Sequence, residues 1–208
     1  MSAPERPLVT VYSDTICPFC YIGKRRLDQL AEHHAFDVEW VPFELHPEIP
    51  PEGVPVEALG AVRLARLRRE IARIGEEVGL EFAHPKVLPN SQRSLELLEF
   101  ARDEGVRGDV AHEAVFSAYF REGRDIGDPG VLVAIAEALG LDGRAAAEAL
   151  ETRAYQSALT RGRERGMDAM VSAVPTFFFG TRIVWGAQPL AVFERALALA
   201  GADREAGA

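Results

Sequence analysis

The order of strand-like and helix-like segments limits the folds available to this chain of 208 residues. Alternating or short apolar runs bounded by turn residues predict strands, and apolar residues at 3–4-residue spacing predict helices. Two groups of segments result. The first group is a strand, a helix and a strand, at residues 8–12, 22–35 and 36–43. The second group is a strand, a strand and a helix, at residues 176–179, 182–185 and 190–200. A β-α-β unit and a β-β-α unit that share one sheet predict a small α/β domain split in two.

A mostly helical region separates the two groups. A proline-rich stretch at residues 46–55, with four prolines in ten residues, indicates a boundary. Beyond it, helix patterns lie at residues 67–78, 91–103, 109–121, 129–139, 142–150 and 152–167, and we expect residues 201–208 to be frayed. We therefore predict an α/β protein with a thioredoxin-like fold. Its discontinuous thioredoxin-like domain comprises residues 1–50 and 168–208, and an all-helical insertion domain comprises residues 51–167.

The only two cysteines lie at the first strand-to-helix junction, in Cys17-Pro18-Phe19-Cys20. Free backbone N–H groups and the positive end of the helix dipole converge at a helix start, which favours a thiolate there. The thiolate is the nucleophile in thiol–disulfide exchange. We predict that Cys17, nearer the helix start and more exposed, is the nucleophile, that Cys20 resolves the mixed disulfide, and that Pro18 and Phe19 tune the pair.

Composition excludes several other classes of function. The net charge of −9 argues against nucleic acid or an anionic membrane surface as the main partner. No apolar run approaches the ~20 residues of a membrane span, and the short polar N-terminus before the first strand leaves no room for a leader. We therefore expect a cytoplasmic protein, in which a lone cysteine pair is catalytic. No second cysteine or histidine pair completes a zinc site, so we expect no metal.

Four stretches of the sequence resemble the DsbA-type thioredoxin-fold family, and specifically its FrnE-like cytoplasmic branch. They are Cys17-Pro18-Phe19-Cys20 after a strand, residues 119–128, Val174-Pro175-Thr176-Phe177 before the hairpin, and Gly186-Ala187-Gln188-Pro189. The resemblance covers nearly the whole chain. It implies a thiol:disulfide oxidoreductase with a redox-active Cys17–Cys20 disulfide, no tightly bound cofactor, and protein or small-molecule thiols and disulfides as substrates. It also implies that Val174–Pro175 is a cis peptide bond that faces the cysteines and binds substrate.

One departure from the family concerns the proton of Cys20. Such proteins commonly carry a buried acid six residues before the first cysteine, where this chain has Val11. Asp14, Glu44 and His46 are the candidates for that role. Because no histidine or lysine separates the cysteines, we also predict a reduction potential more negative than the ~−120 mV of the strongest oxidants. A reductase or isomerase suits a reducing compartment better than an oxidase.

Two other functions stay open. Related proteins with the same helical insertion are glutathione-dependent isomerases or transferases of the hydroxychromene-carboxylate type, which have a serine in place of Cys17. The simplest interpretation of the arginines on the first inserted helix is a solvated, basic helix face. They could instead form a site for glutathione, a candidate co-substrate, or for a small aromatic acid. A non-catalytic, chaperone-like peptide binder would use an apolar surface between Phe19, Val174 and the inserted helices.

Overall fold

The computed structural model describes the backbone of residues 6–206 and the side chains of residues 6–202. In chain order its strands are β1 (Leu8–Ser13), β2 (Asp37–Pro42), β3 (Val54–Pro55), β4 (Val87–Leu88), β5 (Thr176–Phe179) and β6 (Arg182–Trp185). Its α-helices are α1 (Pro18–Ala31), α2 (Ala61–Glu76), α3 (Gln92–Asp103), α4 (Gly108–Phe120), α5 (Pro129–Ala138), α6 (Gly143–Glu151), α7 (Gln156–Asp168) and α8 (Leu190–Ala206).

Four strands form the central sheet, in the order β2-β1-β5-β6. Strand β1 is parallel to β2 and antiparallel to β5, and β5 continues into β6 through a hairpin. Gly180 supplies the positive φ of 60° that this turn requires. In the β1–β5 register Tyr12 lies opposite Thr176. The chain segments that follow β1 and precede β5 are therefore neighbours at one end of the sheet.

Apolar packing covers both faces of the sheet. On one face Val9, Val11 and Phe177 pack with Leu30 of α1 and Phe193 of α8. On the other face Tyr12 belongs to a larger cluster that extends through the helical region and includes both cysteines. Hydrophobic contact is thus continuous between the sheet and the inserted helices, while the division into the two predicted domains stays a prediction.

Several boundaries differ from those the sequence predicts. Helix α1 begins at Pro18 and not at residue 22, because proline has a suitable φ and no N–H to leave unpaired at the first helical position. Helix α7 begins at Gln156, since Arg153 adopts a left-handed φ of 56°. The last helix, predicted over residues 190–200, extends to Ala206 as α8, and residues 207–208 lie outside the described range. The β3–β4 ribbon was not predicted because two-residue strands show no periodicity.

Two glycines define the face of α7 that packs against the sheet. The sequence does not identify this face, because α7 consists mostly of small and charged residues. A methyl group on Gly162 would lie 2.5 Å from the carbonyl oxygen of Pro42, and one on Gly166 would lie 2.6 Å from the ring of Phe43. Only residues without a side chain allow this close approach to the end of β2. Within residues 6–206, no helix has both the length and the apolar character needed to cross a membrane.

Candidate active site

The two cysteines lie at the start of α1. Cys17 is the extended residue that precedes the helix, and its carbonyl oxygen accepts hydrogen bonds from the N–H groups of Cys20 at 3.0 Å and Tyr21 at 3.4 Å. The register of β1 and β5 brings the segment before β5 to the same place. The Cys17 Sγ lies 3.6 Å from the carbonyl oxygen of Val174, and the Val174–Pro175 bond is cis, as the resemblance implies.

Both cysteines are free thiols and both are buried. Cys17 is 3% exposed and Cys20 is 1% exposed, so the predicted difference in exposure between them is small. Their side chains belong to the larger hydrophobic cluster, against which the half-buried Phe19 also packs. Pro18 opens α1 beside them. The structure therefore brings together the six residues predicted for the site: Cys17, Pro18, Phe19, Cys20, Val174 and Pro175.

The environment of Cys20 keeps its sulfur protonated. Burial raises the pKa of the Cys20 thiol well above its usual value, and a hydrogen bond with the Cys17 side chain raises it further. The backbone N–H of Asp14 and the hydroxyl of Ser13 act in the opposite direction and lower the pKa of Cys20, because donor groups beside the sulfur favour the thiolate. The Ser13 hydroxyl is buried and has no hydrogen-bond partner among the described residues.

Asp14, the acid nearest to this pair in the sequence, is fully buried. Its carboxylate accepts hydrogen bonds from the N–H groups of Ile16 at 3.2 Å and Leu45 at 2.5 Å. Burial nevertheless raises the pKa of Asp14 to about 6, and the negative charge of Glu44 adds to the rise. The carboxyl group is therefore poised between its charged and neutral forms near neutral pH.

The other two candidate proton acceptors differ in position. Glu44 lies beside Asp14 and has a buried Oε1 atom without a hydrogen-bond partner among the described residues. His46 instead pairs its Nδ1 with Glu48 at 2.8 Å on the protein surface. The geometry therefore favours Asp14 and does not favour His46.

Sequence reasoning missed a group of buried polar residues on α3, behind Asp14. Ser94 is fully buried and its hydroxyl lies 2.7 Å from that of Thr15, while the buried Ser91 acts to lower the pKa of Asp14. Glu96 is also buried and pairs with Arg153 at 2.7 Å. The available signal was Glu96 itself, an acid between Leu95 and Leu97 in an apolar run. No group of three or more metal-binding side chains occurs in the described part of the chain.

These features agree with a comparison to known families. The family model described as DSBA-like thioredoxin domain matches residues 8–198. The chain belongs to the DsbA-like thioredoxin-domain family. Both the resemblance to DsbA-type proteins and the thioredoxin-like α/β fold are thereby confirmed.

Two curated relatives of this DsbA-like protein match most of its length. The uncharacterized protein YwbO of Bacillus subtilis is 35% identical over 192 residues, which is 91% of this chain and 94% of that protein. The 2-hydroxychromene-2-carboxylate isomerase of Pseudomonas putida is 25% identical over 194 residues, with the same two coverages of 91% and 94%.

Solved structures show the same fold. A probable DsbA oxidoreductase from Streptomyces coelicolor superposes with a TM-score of 0.85 and 25% identity, over 94% of this chain and 90% of that one. The cytosolic disulfide reductase DsbM from Pseudomonas aeruginosa, solved with GSH, has a TM-score of 0.68 and 21% identity, over 92% and 99% of the two chains. At that identity the likeness to DsbM concerns the fold alone.

Proposed function

We propose that this DsbA-like protein is a thiol:disulfide oxidoreductase that exchanges disulfides through Cys17 and Cys20, as a reductase or an isomerase. The observation that supports it most strongly is the pair of free thiols at the start of α1, with the first sulfur 3.6 Å from the Val174 carbonyl oxygen. The similarity to a probable DsbA oxidoreductase supports it further. The redox-active disulfide is then the working group, and no tightly bound cofactor is needed.

In the first step the Cys17 thiolate attacks one sulfur of a substrate disulfide. The substrate S–S bond breaks, a mixed disulfide forms on Cys17, and the first substrate thiolate leaves. The position of Cys17 before α1 supports this role, because the free N–H groups and the dipole of the helix stabilise negative charge on its sulfur. The backbone of Val174 and the ring of Pro175 then lie beside the substrate chain.

In the second step Cys20 attacks the sulfur of Cys17. The mixed disulfide breaks, the Cys17–Cys20 disulfide forms, and the second substrate thiolate leaves. Cys20 must first lose its proton, and we assign its acceptance to the carboxylate of Asp14. Ser13 and the backbone N–H of Asp14 stabilise the developing thiolate by donating hydrogen bonds to it. Two electrons and two protons pass from the dithiol to the substrate disulfide, and two molecules of a thiol such as glutathione then restore the dithiol and leave as their own disulfide.

An insulin-reduction assay tests this proposal. We expect the wild-type protein to accelerate the reduction of insulin by dithiothreitol and the Cys17→Ser variant to be inactive. A parallel assay of peptide binding separates the chaperone-like alternative, which predicts equal binding by both proteins and no reduction by either. The absence of reductase activity in wild type, with insulin and with small disulfides, would refute the redox proposal.

A second candidate function is glutathione-dependent isomerisation, which the 25% identity to the Pseudomonas putida isomerase favours. That chemistry acts on bound glutathione without a redox cycle of the protein. It predicts that Cys17→Ser retains turnover of 2-hydroxychromene-2-carboxylate in the presence of glutathione. Disulfide exchange predicts that the same variant loses all activity, so one pair of assays separates the two functions.

The cytoplasmic location and the FrnE-like branch belong to the same proposal. A chain with only two cysteines, in one Cys-x-x-Cys pair, suits a compartment in which thiols are kept reduced and such pairs are catalytic. Quenching cells with acid and then alkylating the denatured protein at neutral pH tests this. We expect both cysteines to be alkylated in resting cells, whereas a stable disulfide would argue for an oxidising compartment.

A further inference from the structure

An apolar cavity lies next to the start of α1. Its volume is about 80 Å³, and it is lined by Ile16 and Pro18, the two neighbours of Cys17 in the chain. Its other walls come from the helical region, including Leu64, Leu67, Ile71, Ala83 and Phe120. A cavity of this size accepts one small apolar group, and Ile16 and Pro18 place the cavity next to the segment that carries Cys17, although Cys17 itself does not line it.

Two basic side chains complete the lining of this cavity. Arg68 of α2 is half-buried, and His84 is exposed on the segment that precedes β4. Within the described part of the chain, Arg68 makes no hydrogen bond and no ion pair. In contrast, Arg26 pairs with Glu77 at 2.6 Å and Arg153 pairs with Glu96 at 2.7 Å.

The arginines of α2 do not all face the cavity. Leu64, Leu67, Arg68 and Ile71 line it at the spacing of one helix face. Arg66 and Arg69 are exposed, do not line the cavity, and lie on the opposite side of the helix. Most of the arginine-rich face is therefore solvated, as its simplest interpretation predicts, and Arg68 is the exception.

We propose that this cavity and Arg68 form a substrate site for anionic low-molecular-weight disulfides, in which an apolar body enters the cavity and a carboxylate pairs with Arg68. The site rests on the proposed disulfide exchange at Cys17. Burial of an apolar group beside a charge-assisted hydrogen bond supplies both affinity and orientation.

The reaction at this site is the exchange described above. The Cys17 thiolate attacks the disulfide sulfur next to the bound group, and the remote half of the substrate leaves as a thiolate. Cys20 then displaces the bound half as the second thiolate. One dithiol thus consumes one disulfide and releases two substrate thiols, with no further oxidant or reductant needed in a single turnover.

A single-turnover comparison of two aromatic disulfides tests the site. The anionic probe is 5,5′-dithiobis(2-nitrobenzoate), and the neutral probe is 4,4′-dithiodipyridine. Reduced wild type, Arg68→Gln and the matched control Arg69→Gln are mixed with each probe, and thiol release is followed by absorbance. We expect Arg68→Gln to lower the second-order rate constant for the anionic probe about tenfold and to leave that for the neutral probe unchanged. Arg69→Gln leaves both rate constants unchanged.

A second variant tests the apolar part. Ala83→Leu adds volume to the cavity lining, so it should slow both aromatic probes but not the smaller, acyclic 2-hydroxyethyl disulfide. The inference is overturned if Arg68→Gln has no effect on the anionic probe, affects both probes equally, or behaves like Arg69→Gln. These outcomes differ from failure of the proposed function, in which wild type releases fewer than two thiols per chain from every probe.

Discussion

The carboxylate of Asp14 accepts a hydrogen bond of 2.5 Å from the backbone N–H of Leu45. This contact joins the loop that leads into Cys17 to the segment that follows β2. Since the backbone N–H of the same residue donates to Cys20, Asp14 both fixes the loop and shapes the surroundings of the resolving sulfur. A charged group in so buried a position affects stability as well as chemistry.

Replacement of Asp14 by asparagine should change the pH dependence of stability. The pKa of Asp14 is raised in the folded protein from 3.8 to about 6, so folding favours its protonated form. The buried Asp14 carboxyl group is neutral at low pH and does not destabilise the folded protein there. As pH rises from about 4 to above 6, the group ionises and destabilises the folded protein increasingly. The free energy of unfolding of Asp14→Asn, minus that of wild type, should rise by about 2 kcal/mol between pH 4 and pH 7. Urea denaturation at both pH values measures it.

The control for that experiment is Asp142→Asn. Asp142 caps α6 through hydrogen bonds from the N–H groups of Arg144 and Ala145, which lower the pKa of its carboxyl group. Its charged form is therefore favoured by folding, and its pH effect runs in the opposite direction. A pH-independent difference for Asp14→Asn would show that the Asp14 carboxyl titrates in the folded protein as it does in water.

The division of roles between the cysteines predicts different fates for two serine variants. With a small disulfide substrate, Cys20→Ser should accumulate a mixed disulfide on Cys17, because no second sulfur is present to displace it. Cys17→Ser should form no adduct at a comparable rate, since the remaining Cys20 is buried and its pKa is raised. Intact-mass spectrometry distinguishes them, and equal adduct formation by both variants would contradict the assignment.

His112 should make the protein sensitive to acid. Burial lowers the pKa of this histidine from 6.5 to about 3, while its ring stacks on Trp40 with 4.0 Å between centroids. Folding favours the neutral form, so its contribution to stability is present above pH 6.5 and is lost as pH falls towards 3. Between pH 7 and pH 5 wild type should lose about 2 kcal/mol relative to His112→Phe.

Urea denaturation of wild type and His112→Phe at pH 7 and pH 5 measures this effect. The free energies of unfolding of the two proteins are compared at each pH, because Asp14 changes the stability of both proteins with pH in the opposite direction. His34→Phe, the same substitution at an exposed site just after α1, is the matched control. Parallel pH dependences of wild type and His112→Phe would contradict a buried neutral histidine.

A side chain at Gly23 of α1 should disturb the packing near the cysteines and destabilise the protein. An added methyl group would lie 2.6 Å from the Phe177 ring and 3.4 Å from the ring of Pro175. Phe177 is fully buried and cannot move aside, so Gly23→Ala should destabilise the protein by about 1–3 kcal/mol. Gly201→Ala in α8, where a methyl group meets no atom within 4 Å, should be neutral or stabilising by up to about 1 kcal/mol. Thermal unfolding of the two variants tests the contrast.

The sequence predicts the parts of this molecule that depend on local pattern. The apolar run at residues 8–12, the hairpin pattern at residues 176–185 and the position of Cys17-Pro18-Phe19-Cys20 identify sheet strands and the reactive pair, and the family resemblance implied the cis bond at Pro175. The surroundings of Asp14 were not predictable in this way. Its burial depends on Ser91 and on the segment around Leu45, which only the tertiary fold brings to it.

Distance along the chain also explains why the buried polar residues of α3 were not predicted from the sequence. Glu96 can be buried because Arg153, 57 residues later, pairs with it after a left-handed turn. Neither residue carries a local sign of its partner. The β3–β4 ribbon and the glycine contacts of α7 likewise depend on contacts between segments that no spacing rule relates.

The burial of the cysteine pair has a consequence for the lifetime of the reduced protein. With exposures of 3% and 1%, the two sulfurs are shielded from dissolved oxidants and from metal ions between turnovers. A substrate must displace part of this cover before it reaches Cys17, so local opening precedes the chemistry. The same packing that slows substrate access should therefore slow air oxidation, and the dithiol is protected by the fold when no substrate is bound.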